Sequence, residues 1–312
     1  MRGMPDPRTA ELRIGDPDAA VEQWRRAHAA HHVPETLRAI RSATGLRPRV
    51  AMVLGSGLGG VADAIRLEPP SGAPEAAVRG ASLLTSDLPH WPRSTVAGHA
   101  GRLVLGYWNA TPVAVLAGRA HRYEGYGLDS VTLPIRVFHA LGARKLVLTN
   151  AVGAIRRGLA PGSLLLVRDH LNFHGTRGLF LPGELAEAPS RGPFGLRPVY
   201  APRLIALLRE TAASLRLPLA EGILMGGLGP AYETASEVAA ARSWGADAAC
   251  MSTVTEALVG AGLGLETAVL SCVTNAATGL SIKTLTHEEV TEVADRAAKS
   301  LRRLLEEALP KI

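Results

Sequence analysis

Cysteine is nearly absent: the 312 residues hold two, Cys250 and Cys272. They stand in separate apolar segments and form no Cys-x-x-Cys pair. That argues against a disulfide framework or a cysteine-based zinc site and suits a reducing cytoplasm. Aromatic residues are 4% of the chain, so a core has to be built mainly from Ala, Val, Leu and Ile. The N-terminal stretch MRGMPDPRTAELRIGDPD has no apolar region of the secretory kind. No uncharged apolar run of about 18 residues occurs, so no membrane span is expected. Internal repeats and low-complexity linkers are also lacking. The net charge is +6, but no basic run interleaved with aromatics accompanies it. Nucleic acid is therefore not the expected partner, whereas a small anion such as phosphate is.

Apolar residues are plentiful at 47%, with 20% charged, enough for a sizeable core. Residues 1–18, rich in Pro, Asp and Arg, predict a flexible tail, and 19–312 predict a single domain. Helices are expected over 19–44, 61–66, 130–141, 202–215, 235–244 and 255–262. A last helix starts at a Thr286-x-x-Glu289 capping box. Its apolar stripe comprises Val290, Val293, Ala294, Ala297, Leu301, Leu304, Leu305 and Ala308. Short apolar strands are expected at 49–54, 103–107, 113–116, 145–149, 163–168, 222–228, 246–250 and 267–273, and loops over 68–98 and 175–202. The alternation predicts an α/β fold with a mixed, largely parallel central sheet flanked by helices.

Several expected strands end in a Gly, Ser or Asn turn. Ligands gather at the carboxyl ends of strands in such sheets, so these turns can share one site. The first, Gly55-Ser56-Gly57-Leu58-Gly59-Gly60, satisfies the dinucleotide pattern G-x-G-x-x-G. The acidic residue expected about twenty positions on falls in Pro69-Pro70-Ser71-Gly72-Ala73-Pro74-Glu75, which cannot be a strand. A main-chain nest with the Ser56 hydroxyl, cradling a single phosphate, is the better reading, against a plain tight turn. The second, Arg119 to Glu124, brings together a fixed cation, an imidazole, a phenol and a carboxylate. Arg119 fits phosphate oxygens, and Glu124 can orient His121; a surface ion-pair cluster is the plainer alternative. The turn at Thr149–Gly153 has Asn150 and N–H groups suited to an anion, or is a simple turn. At Gly229–Glu237 an aromatic beside a carboxylate suits a purine, while a helix N-terminus with favourable acids explains the same residues. Ser252 is either a ligand or an N-cap. Thr274-Asn275-Ala276 follows the last strand, and His287 opens the last helix.

Together these segments resemble the trimeric purine nucleoside phosphorylases of the inosine/guanosine type. The stretches that carry the resemblance include VLGSGLGG (53–60), PRSTVAGHAGRLVLG (92–106), GRAHRYEGY (118–126), LTNAVGAI (148–155), GPAYETASEV (229–238), GADAACMSTVTEAL (245–258), VTNAATG (273–279) and HEEV (287–290). The resemblance implies phosphorolysis of 6-oxopurine nucleosides to free base and ribose 1-phosphate. Inorganic phosphate is then a co-substrate, with no cofactor and no metal. It implies phosphate binding by Ser56, His99, Arg119, His121, Asn150, Ala151 and Ser252. Tyr123, Met251 and His287 would surround the ribose, and Tyr232, Glu233 and Asn275 the base. Catalysis would fall to Asn275, Glu233 and His121. It also implies a cytoplasmic homotrimer in which a neighbour's Phe, with Phe194 as candidate, closes the site. The chain departs from the family pattern at Ala151-Val152-Gly153-Ala154, Cys250, Ala276 and the 175–198 loop. Two alternatives stay open: a methylthioadenosine phosphorylase of the same fold, and a catalytically silent nucleoside-binding protein.

Overall fold

The computed structural model describes residues 32–73, 77–96, 101–176, 179, 198–280 and 287–312. The side chains of residues 287–292, 294 and 295 fall outside this description. The expected tail, the part of the first helix before residue 32 and the Thr286 cap lie outside it as well. No helix among the described residues is long and apolar enough to cross a membrane.

One nine-stranded sheet organises the molecule, in the order β2-β3-β4-β1-β5-β8-β7-β6-β9. Its strands are β1 Val50–Leu54, β2 Ala81–Leu84, β3 Arg102–Trp108, β4 Thr111–Ala117, β5 Lys145–Ala154, β6 Leu164–Asn172, β7 Leu219–Gly226, β8 Ala248–Cys250 and β9 Glu266–Ala276. Strand β5 pairs with β9 as well as with β1 and β8, so β5, β8, β7, β6 and β9 close into a ring. The β1–β4, β1–β5, β5–β9, β6–β7 and β7–β8 pairings are parallel, and the other four are antiparallel. The α/β class with a mixed sheet is as expected, but the sheet is partly closed rather than open.

Every residue of β1 is buried, and β4 is buried except for Pro112. Strands covered on both faces read as continuous Val/Ala/Leu runs, as these do. The helices α1 (32–43), α2 Leu128–Val131, α3 Leu133–Leu141, α4 Pro202–Ser214, α5 Ala235–Ser243, α6 Val254–Gly262 and α7 His287–Ala308 flank the sheet. In α7, Val293, Ala297, Leu301, Leu304, Leu305 and Ala308 are buried, as the stripe required. Gly142 caps α3 at φ +107°.

The structure corrects several boundaries. The 68–98 loop contains β2, whose alternating half-buried and exposed residues lack the apolar content of the central strands. The helix expected at 61–66 is a 3-10 turn over Gly59–Ala64. The helix expected at 130–141 starts earlier and breaks at Thr132, whose hydroxyl bonds back to the Leu128 carbonyl. Both β5 and β9 run past their expected ends, because pairing with each other continues through Asn150–Ala154 and Thr274–Ala276. Turn-like composition gave way there to a ladder that satisfies the main chain.

Gly55 joins β1 to the site by close approach. A Cβ there would lie 2.7 Å from Asn150 Cα and 2.9 Å from the Thr149 carbonyl oxygen, both main-chain atoms that cannot swing aside. Gly59 has nothing within 4 Å of a built Cβ. Gly55→Ala is therefore expected to lose about 1–3 kcal/mol in urea melts, and Gly59→Ala to stay within about 0.5 kcal/mol.

Candidate active site

The ends of β1, β4, β5, β8 and β9 meet around one cavity of about 480 Å³, within the range of small-molecule sites. Ser56, Arg119, His121, Tyr123, Asn150 and Ala151 are among its lining residues. So are Met251, Ser252, Tyr232, Glu233 and Asn275. His99 and Phe194 lie outside the described residues, and of His287 only the main chain, at the start of α7, is described.

Arg119 sits just past β4 and is buried. Its Nε donates to Glu256 Oε1 at 3.1 Å, and Nη1 donates to the Thr149 carbonyl at 2.7 Å. Glu256, in the first turn of α6, is buried too. A buried pair with this geometry fixes the fork of the guanidinium, whatever its net contribution to stability. Thr149 also ties β1 to β5: its hydroxyl accepts from Gly55 N–H at 3.0 Å and donates to the Val53 carbonyl at 3.2 Å. Glu256 had no role in the sequence reading, and Thr149 entered it only as the first residue of the expected Thr149–Gly153 turn. Glu256 stands beside no other charge in the sequence, so only the fold brings it to Arg119.

His121 is oriented by Glu124, as its spacing suggested. Glu124 Oε1 accepts from the His121 main-chain N–H at 2.7 Å and bonds Nδ1 at 3.0 Å. Thr95 donates to the other carboxylate oxygen from its N–H and from its hydroxyl. Burial raises the Glu124 pKa, but the hydrogen bonds from Thr95 and His121 outweigh it and bring the carboxyl below its ordinary value. For His121, burial lowers the pKa, the Glu124 bond opposes and the Arg119 charge adds to the lowering. The balance falls below the usual histidine value, so the imidazole is neutral at neutral pH. Tyr123 stacks on it at 4.8 Å.

Three local devices aim the remaining side chains. The Gly55–Leu58 turn closes with a Leu58 N–H to Gly55 carbonyl bond of 3.0 Å and has Gly57 at φ +76°. It runs into a 3-10 helix over Gly59–Ala64 rather than into an α-helix. At the end of β8, Thr253 adopts φ +69° and ψ −48°, and Val254 N–H bonds the Ser252 carbonyl at 2.7 Å. This is a strained γ-turn, and such strain clusters at functional sites. It makes Thr253 the N-cap position of α6, so Ser252 is not the cap. In β9, Thr274 and Asn275 together oppose Gly153, a bulge that re-aims the Asn275 side chain. The Asn275 amide is steadied by the Thr274 hydroxyl at 2.8 Å and the Ala276 carbonyl at 3.0 Å.

Before α5, Thr234 and Glu237 form a reciprocal capping box with bonds of 3.2 and 2.7 Å. Glu237 is thus the structural acid of this segment, and Glu233 and Tyr232, outside the cap, line the cavity. Tyr232 is 76% exposed. Cys250, beneath the site, has its thiol pushed up to about 12, chiefly by burial, so it is no thiolate nucleophile.

One further group adjoins this site. His174 follows β6 and is 5% exposed, and neither ring nitrogen completes a well-formed hydrogen bond among the described residues. Burial first, then the Arg122 charge, lowers its pKa to about 4, with the nearby Ser252 main chain partly opposing the fall.

The family model described as the Phosphorylase superfamily matches residues 49–310. Purine nucleoside phosphorylase 1 of Geobacillus stearothermophilus is 39% identical over 258 residues, 83% of this chain and 89% of its own. The purine nucleoside phosphorylase of Rattus norvegicus is 36% identical over 287 residues, 87% and 92% of the two chains. The crystal structure of the Schistosoma mansoni purine nucleoside phosphorylase in complex with adenosine superposes with a TM-score of 0.76 at 27% identity, covering 90% and 97%. The chain belongs to the phosphorylase superfamily and, within it, to the purine nucleoside phosphorylases.

Two measurements check this electrostatic picture. Glu256→Gln leaves Arg119 buried without its counter-charge and should cost about 3–5 kcal/mol in denaturant unfolding. His174 sets an acid window. Its folded pKa lies below the ordinary 6.5, so the unfolded chain binds the extra proton first as pH falls. The contribution is intact above pH 6.5 and is lost progressively toward pH 4, by about 3 kcal/mol at most. His174→Asn should flatten the fall in stability across that range; an unchanged slope contradicts the buried neutral imidazole.

Proposed function

We propose that the chain catalyses phosphorolysis of 6-oxopurine ribonucleosides and deoxyribonucleosides such as inosine and guanosine. The observation that carries this is one cavity lined by Arg119, His121 and Ser252 together with Glu233 and Asn275. In this reading an oxyanion held by the first three lies below the sugar of a nucleoside whose base is read by the other two.

In this reading inorganic phosphate, the co-substrate, is bound by Ser56, Arg119, His121, Ser252 and the Asn150–Ala151 segment, with His99 covering it. Because Glu256 offsets the Arg119 charge and His121 is neutral, hydrogen-bond donors rather than net charge hold the anion. Its arrival stabilises the protonated form of His121. Tyr123, Met251 and His287 surround the ribose, and Tyr232 stacks on the base. The C1′–N9 bond breaks with its electron pair moving to the purine, and a phosphate oxygen forms the new bond to C1′. Asn275 hydrogen-bonds the developing charge at N7 and O6 while Glu233 accepts from N1–H. This is preorganised electrostatic stabilisation, without a protein nucleophile. A homotrimer, with Phe194 of a neighbouring copy covering the ribose, fits the exposure of Tyr232.

The Schistosoma mansoni relative is crystallised with adenosine, and a Schistosoma purine nucleoside phosphorylase with hypoxanthine, so base preference is the open question for the pocket. Incubation with inosine, guanosine, adenosine and methylthioadenosine, with and without phosphate, should release hypoxanthine and guanine only when phosphate is present. Preferential cleavage of methylthioadenosine supports that rival. Inosine binding without turnover supports a silent binding protein. Asn275→Ala should lower kcat by about 10²–10³-fold with a smaller change in phosphate KM. Glu233→Ala should reduce kcat/KM for inosine about tenfold or more relative to adenosine, since an unpaired N1–H contact is lost only for the 6-oxopurine. Parallel losses would remove Glu233 from base reading.

A further inference from the structure

His174 has no part in the function proposed above, yet the structure invests in its position. Its main-chain N–H donates to Asn172 Oδ1 at 2.9 Å, and its carbonyl accepts from Arg122 Nη1 at 3.2 Å. The ring is seated against the main chain of Gly226 at the end of β7. A Cβ at that position would lie 2.8 Å from Val254 Cγ2 and 3.0 Å from both Cδ2 and Nε2 of the imidazole. A larger residue here would have to shift Val254 and the ring together.

What the ring faces is polar. A second, small cavity of about 10 Å³ lies behind the phosphate wall, between His174, Arg119, Arg122, Ser252 and Glu256. That is room for the centre of about one water molecule, which needs two to four polar partners. The partners are present. Both ring nitrogens of His174, Glu256 Oε2 and Arg122 Nε are buried and lack a hydrogen-bond partner among the described residues. Buried polar atoms left unsatisfied cost about 1–3 kcal/mol each, so several converging on one cavity point to an occupant. A neutral imidazole carries one donor and one acceptor and suits such a bridge.

We propose that His174 is a positioning residue of the phosphate subsite: through one water molecule held in the small cavity it hydrogen-bonds Glu256 and so fixes the carboxylate that orients Arg119. The inference rests on the reading of Arg119 as a phosphate ligand. The water accepts from Arg122 Nε, donates to Glu256 Oε2 and exchanges its remaining bond with the imidazole. The neutral state of His174 at neutral pH matches this role. A protonated imidazole would add a further cation to Arg119 and Arg122 around Glu256. The bridge acts on the orientation of Arg119 and not on the base or the sugar. Its loss therefore registers in phosphate binding.

The test separates the two substrates in steady-state kinetics. His174→Leu should raise the phosphate KM about tenfold, the effect of losing one such network link, and change the inosine KM less than about twofold. His174→Gln, which keeps a donor and an acceptor, should recover most of the loss. Equal effects on both substrates, no effect on phosphate KM, or equal damage by Leu and Gln would each overturn the proposal. If His174→Leu does not fold, a cycle of His174→Ala and Glu256→Gln on phosphate KM replaces it. Coupling of about threefold or more supports the bridge, and additive effects overturn it. Wild-type enzyme that releases hypoxanthine without phosphate would instead sink the reading of the site. Phosphate-dependent wild type with indifferent His174 variants sinks this inference alone.

Discussion

The site is organised around a buried guanidinium. Arg119 is held at Nε by Glu256 from α6 and at Nη1 by the Thr149 carbonyl from β5. Thr149 in turn fastens the Gly55 turn through its hydroxyl. One cation thus links β4, β5, α6 and, at one remove, β1. Removing a charge from water is expensive, and breaking such a pair leaves an uncompensated ion. The geometry is consequently all or nothing: either the strand ends hold Arg119 in this place or the local packing fails. A fixed fork is what recognition of a tetrahedral oxyanion needs. The constraint that costs the fold most also gives the cavity its chemistry.

Around this anchor the chain uses small departures from regular structure. The Ser252–Val254 γ-turn, the Thr274–Asn275 bulge and the Gly57 turn each sit at the end of a strand and face one cavity. Regular strands alone would alternate these side chains between faces. Irregularity at the ends lets consecutive residues, such as Met251 with Ser252, line the same space. The regular parts of β1, β4 and β5 provide the rigid support, β1 wholly and the other two largely buried, and rich in branched residues.

Much of this was legible in the residues. The apolar runs of β1 and β4, the stripe of α7 and the Arg119–Glu124 cluster carried their meaning locally. The functional turns were also legible as a set, since their order matches one family over most of the chain. What was not legible depends on long-range pairing. The extension of β5 and β9 reflects their mutual ladder, which overrides the turn-like composition of Asn150–Gly153. The partly exposed β2 has too weak a pattern to be read as a strand. Glu256 and His174 look like ordinary helix and loop residues until the fold brings them beside Arg119. At Ser252 the residues left two readings open, ligand or cap, and the γ-turn gives the cap position to Thr253.

The central claim concerns where an inorganic oxyanion sits. Diffraction from crystals soaked in arsenate, recorded at the arsenic absorption edge, locates such an anion directly. The account predicts an anomalous peak within hydrogen-bonding distance of Arg119 and Ser252. A peak confined to another cationic surface, such as the Arg156, Arg157 and Arg242 cluster, with none beside Arg119, would contradict it.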